Sequence, residues 1–217
     1  MDTMNYGEVI YRLVFFIAFL FSFTVIKNKN RSLLVFPLLL FIGNIVELIV
    51  LLLKSKPYYP IVYHVYIPIE YMLLSYFYLQ NLNSKRMKQF ILFTIPLFFI
   101  LCITISYRTI QPFIYPHPTL QFNIAGILLV VFALTSLFHI KEDMASSIYK
   151  NYLFWINIGI LFFYSGNFLL MGTYNYLKQR DPDFATQLWS MFNTTLNVVL
   201  YIFFIIGFIC SKPIRKF

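Results

Sequence analysis

The sequence predicts an all-α, polytopic bundle of seven transmembrane helices. Three observations carry that prediction. The 217 residues are 60% hydrophobic and only 12% charged, with mean hydropathy +0.74. Soluble domains are about 45–50% apolar and about 25% charged, so this chain cannot clothe a water-facing surface. Seven apolar runs reach the length of about 20 residues that a helix needs to cross a hydrocarbon core. The runs are continuous rather than alternating, which argues against an outer-membrane barrel.

The spans follow in order. Span 1, 7–26, starts among Asp2 and Glu8 and ends at Lys27-Asn28-Lys29-Asn30-Arg31. A cleavable leader wants a basic start and a short apolar region. This segment reads instead as an anchor with its amino terminus outside. Span 2, 32–53, carries Asn44 and Glu47. Span 3, 59–81, carries His64, Pro68 and Glu70. Pro68 cannot donate to the carbonyl of His64, so a kink is expected there. Span 4, 88–107, is almost wholly apolar and holds Cys102. Span 5, 119–140, has Asn123 near one end and His139 near the other. Span 6, 150–171, brings Tyr164, Ser165 and Asn167, with Gly159 and Gly166 able to admit a close neighbour. Span 7, 186–210, brings Ser190, Asn193, Thr194 and Asn197, and ends at Cys210. The connections are too short for a separate soluble domain, which rarely falls below about 50 residues. Residues 1–217 are therefore read as one membrane domain.

Charge sets the orientation. An N-out, C-in threading puts 11 of the 17 basic residues on the inner side, as the positive-inside rule requires. The formal net charge of +9 is spread over short loops, with no stripe on one element. It suits topology and anionic membrane lipids rather than nucleic acid. Cys102 and Cys210 fall at different levels, too far apart for a disulfide. Spans 1–3 and 5–7 share weak features. Gly43-Asn44 recurs as Gly166-Asn167, and Glu70 of span 3 has its counterpart in Asn197 of span 7. The similar offsets suggest a 3+1+3 parallel repeat joined by span 4.

Polar residues concentrate in the outer half. Asn44 and Glu47 are three apart and share a face of span 2. Tyr63, Tyr66 and Glu70 form a stripe on span 3, and Ser190, Asn193, Asn197 and Tyr201 another on span 7. A carboxylate near the bilayer centre costs about 2.5–3.5 kcal/mol on insertion scales, so Glu47 and Glu70 need a reason. One reason is a water-accessible pocket open to the outside, where they bind a cation, a proton or a polar ligand. The other is hydrogen bonding between helices, with Glu70 protonated and Glu47 paired to Arg12 or His64. The candidate ligand- or proton-binding set is Glu47, His64, Glu70, Asn44, Tyr66, Tyr164, Ser165, Asn167, Asn193 and Asn197. His117, in a Pro-rich outer loop, reads as an ordinary interfacial residue.

Known chemistries find little support. A retinal site needs a core lysine, and no span has one. No cofactor or metal is expected, although Glu47, His64 and Glu70 together could supply three ligands. A serine hydrolase could pair Ser165 with His64. The glycine two residues before the serine in intramembrane serine proteases is missing.

The stretch Phe154-Trp155-Ile156-Asn157-Ile158-Gly159-Ile160-Leu161-Phe162-Phe163-Tyr164-Ser165-Gly166-Asn167 resembles a motif of small bacterial seven-helix membrane proteins. His64-Val65-Tyr66-Ile67-Pro68-Ile69-Glu70-Tyr71 resembles the third span of that uncharacterised family, and Glu47 fits its second. The resemblance implies a shared fold and polar layer, and no activity. Likeness to sugar carriers of the SWEET type is weaker, because their Pro-Gln pair is missing. The expectation is a multi-pass protein of the bacterial cytoplasmic membrane that binds a small ligand from outside, as a sensor or accessory protein. The alternatives are a proton-coupled or facilitative solute transporter and an intramembrane lipid-acting hydrolase. A sensor's output would have to leave through 141–150 or the tail 211–217. No oligomeric state is indicated.

Overall fold

A computed structural model describes residues 6–27, 31–53, 56, 59–108, 113, 117–143 and 148–211. Residues 144–147 and 212–217, within the expected output surfaces, lie outside the described residues, as do 28–30 of the basic exit from span 1. The secondary structure described is wholly helical. The helices are α1 (Tyr6–Lys27), α2 (Val35–Leu53), α3 (Ile61–Asn81), α4 (Lys85–Arg108), α5 (Thr119–Asp143), α6 (Tyr152–Arg180) and α7 (Pro182–Cys210). Short 3-10 turns at Arg31–Leu34 and Ile148–Lys150 lead into α2 and α6.

Six of these helices are long and apolar enough to cross a membrane. The exception is α3, which has the length, 21 residues, but carries His64, Glu70 and five tyrosines. It can hold them because three helices pack around it. Its neighbours are α2, α4 and α5. Outward-facing side chains such as Leu52, Phe138 and Leu169 stay about 70% exposed, as a lipid-facing surface demands. The chain is a multi-pass helical membrane protein.

The boundary between the last two helices departs from expectation. A connection was expected over 172–185, yet α6 runs to Arg180 and only Asp181 separates it from α7. The Asp181 N–H donates to the Leu177 carbonyl at 2.8 Å, ending α6. Its carboxylate accepts from the Phe184 N–H at 3.0 Å, starting α7. Pro182 follows in the first turn, where its missing N–H costs nothing. At 29 residues α6 is about 44 Å long, more than a hydrocarbon core of about 30 Å requires.

The helices form a closed ring in the order α1, α2, α3, α5, α6, α7, with α4 outside it against α3. Glycines bring α6 and α7 closest. A Cβ on Gly166 would lie 2.8 Å from Leu196, one on Gly159 3.0 Å from Phe203, and one on Gly207 2.9 Å from Ile156. The end of the ring away from the amino terminus is plugged. Phe36 meets Phe77, Phe204 and Phe208 edge-on at 5.1, 5.0 and 5.5 Å between ring centres. This half is less apolar than the sequence suggests. The Tyr78 hydroxyl donates to Asn157 Oδ1 at 2.9 Å, and Asn157 Nδ2 donates to Ser136 Oγ at 2.9 Å. These bonds tie α3, α6 and α5 together in the interior.

Candidate functional site

A cavity of about 440 Å3 occupies the other half of the ring. Every ring helix contributes to its wall and α4 does not. Its rim is built by Glu8, Lys178 and Thr186, at the end of the bundle that carries the amino terminus. Glu70 at the floor lies nine residues along α3 from its start at Ile61, a depth of about 14 Å below that end. Glu70 also borders a chamber of about 10 Å3 beyond the floor, together with Tyr164, Leu200 and Phe204.

Helical spacing explains which side chains enter. Gly43, Val46, Glu47 and Val50 lie on one face of α2 and all line the cavity. Tyr63, Tyr66, Ile67 and Glu70 do the same on α3. On α7, Ser190, Asn193, Asn197 and Tyr201 line it at steps of three and four. Gly43 is needed where it stands, because a Cβ there would lie 2.7 Å from Phe15 and 3.3 Å from the Tyr66 hydroxyl.

The two buried carboxylates differ in their company. Glu47 accepts from the Tyr11 hydroxyl at 3.0 Å and faces the Arg12 Nε at 4.0 Å. Arg12 also reaches Glu8 at 3.7 Å, so one guanidinium links two carboxylates. Glu70 accepts from the Tyr66 hydroxyl at 3.3 Å, and the Tyr164 hydroxyl interacts with it as well. Among the described residues no cationic side chain comes within 4.0 Å of Glu70. Phe15 and Tyr201 stack beside it, 4.4 Å between ring centres.

Of the ten sequence candidates, Glu47, Tyr66, Glu70, Asn193 and Asn197 share this cavity. Tyr164 borders only the inner chamber. The other four are placed elsewhere. His64 is turned toward α4 and α5, where its Nδ1 bonds Ser106 Oγ at 2.8 Å and Gln121 donates to the same hydroxyl at 2.6 Å. Depth along α3 is the same for His64 and Tyr63; rotation about the axis separates them. Asn44 donates to the Leu40 carbonyl at 2.7 Å and Asn167 to the Phe163 carbonyl at 3.1 Å, each turned back onto its own helix. Ser165 is exposed on the outer face of α6 and donates to the Leu161 carbonyl. No Ser165–His64 pair forms. Among the described residues no three His, Cys, Asp or Glu side chains converge as metal ligands.

Sequence reasoning passed over His117. It lies at the wall of the cavity inside an aromatic nest. Its ring stacks on Trp189 at 5.3 Å and meets Tyr63 and Tyr174 at 5.4 and 5.5 Å. Its Nε2 bonds the Tyr59 hydroxyl at 3.0 Å. Burial, with Lys178 and His64 adding to it, holds the imidazole down at about 4, so it is neutral near pH 7. Burial also pushes the Tyr59 phenol up, which keeps it a donor to that neutral ring. A Pro-rich loop has no periodicity from which such a placement could be read.

Compared with protein-family models, with curated proteins and with solved structures, the chain matches none.

Proposed function

We propose that the protein binds a small ligand entering from the outside of a bacterial cytoplasmic membrane, as a sensor or accessory protein. The observation that carries this is the cavity itself. It is deep, open at one end, floored by a carboxylate without a cation, and closed below by the Phe36 cluster. Binding sites are concave, with a few polar groups converging on a largely apolar wall. The N-out threading is supported by the bias of basic residues toward the opposite side. The bacterial cytoplasmic membrane is supported by the resemblance of spans 3 and 6.

One observation favours a carrier as the second reading. The small chamber is lined by Leu39, Leu74 and Phe204, on the side of Glu70 away from the rim, and the same carboxylate borders both spaces. A proton-coupled step would use such a group.

The test is a thermal-shift screen of the purified protein against amines, sugars, lipids and protons, followed by uptake into proteoliposomes. A ligand present at 100 times its Kd stabilises by about 2.7 kcal/mol, which a melting curve resolves. A saturable shift without uptake supports the sensor. A shift with saturable uptake supports the carrier. No shift with any class removes both.

A further inference from the structure

Three of the eight acidic residues in the chain, Glu8, Glu47 and Glu70, line one cavity. Two cations, Arg12 and Lys178, oppose them there, and His117 is neutral. Among the described residues the lining therefore has a formal excess of negative charge, in a chain whose net charge is +9. Both cations are engaged near the rim. Arg12 lies between Glu8 and Glu47, and the Lys178 ammonium stands 5.6 Å from the centre of the Tyr174 ring. Among the described residues no cation pairs with the carboxylate at the floor. Around it stand phenol hydroxyls and aromatic faces from Phe15, Tyr66 and Tyr201.

We infer that this cavity binds a small organic ammonium ion, with its positive charge at Glu70 and its alkyl groups against the Phe15 and Tyr201 rings. The inference rests on the cavity being a ligand site and names the class of ligand. Aromatic faces attract ammonium groups through their quadrupole, more strongly when water is excluded. A carboxylate at the floor, lined by rings, adds a Coulomb attraction to that of the ring faces. An anion would meet an uncompensated carboxylate at the floor. A neutral ligand would gain neither the Coulomb attraction nor the pull of the ring quadrupoles.

Choline and its neutral carbon isostere, 3,3-dimethyl-1-butanol, share shape and differ in charge, and 3,3-dimethylbutyrate supplies a similar anion. The chain has two tryptophans, and Trp189 lines the cavity, so Trp155→Phe protein leaves one reporter at the site. Titrating each probe against Trp189 emission reads binding directly. Choline is expected to saturate and to bind at least about tenfold more tightly than the alcohol. That preference should vanish in Glu70→Gln and persist in Glu70→Asp, with matched melting curves showing that both variants are folded. Equal or tighter binding of the alcohol or the carboxylate overturns the cation inference and leaves a ligand site in place. Failure of all three probes to change the emission also overturns it, while the broader screen still judges the cavity as a site.

Discussion

Acid should open the aromatic nest around His117. At neutral pH the imidazole shares a hydrogen bond with the Tyr59 hydroxyl and stacks on Trp189. A free histidine titrates near 6.5, whereas this one is held at about 4. The closed nest therefore refuses a proton that the opened chain takes up. Its stability is complete above about pH 6.5, falls as the pH drops from there to about 4, and levels off below. The gap between the two values corresponds to about 3 kcal/mol. For a chain of this size that is a fall in Tm on the order of 10 °C. The assay is thermal unfolding of the Trp155→Phe protein in detergent, followed by Trp189 emission from pH 8 to pH 4. Acidic side chains elsewhere titrate in the same range, so His117→Gln is the control. Glutamine stays uncharged and can still bond Tyr59. Subtracting its profile isolates the imidazole. Equal pH dependence in both proteins would refute the idea that burial in the nest excludes the proton.

Other outcomes follow from the geometry. Glu47→Gln keeps an acceptor for Tyr11 and should cost under about 1 kcal/mol, while Glu47→Leu strands the Tyr11 hydroxyl and removes the carboxylate facing Arg12 and should cost about 1–3 kcal/mol; denaturant titration of the two variants compares them. Tyr78→Phe leaves Asn157 Oδ1 without its donor in the interior and should cost roughly 0.6–1.7 kcal/mol, read from the same titration. Ser165→Ala should change stability by no more than about 0.5 kcal/mol and leave ligand binding untouched, because this hydroxyl faces outward and bonds its own helix; a loss of binding in that variant would place Ser165 in the site after all.

Hydropathy and charge scarcity made the helices and the two carboxylates legible. Each apolar run became a helix because nothing within it could pair with water or a loop. Glu47 and Glu70 stood out because so few acids lie within spans. Two features escaped. The polar residues at 172–180 looked like a connection, although Asp181-Pro182-Asp183 carried the stop and start signals at a single point. Sequence depth placed His64 beside Glu70, but only packing decides which way a residue faces around its helix. Ser106 and Gln121 drew His64 outward, while the cavity wall took His117 from a segment with no pattern to read. Asparagines misled for a related reason: Asn44 and Asn167 answer their own backbones, so their presence in the polar half signals no shared pocket.

The blind shape of the cavity has an electrical consequence. A water-filled well open at one end carries the potential of that compartment down toward Glu70. The membrane voltage then falls mostly across the packed layer of Phe36, Phe77, Phe204 and Phe208. A charge reaching the carboxylate has crossed little of the field, so its binding should be nearly insensitive to voltage. Any passage beyond would meet almost the full drop, about 2.3 kcal/mol per charge for each 100 mV, within that thin aromatic floor.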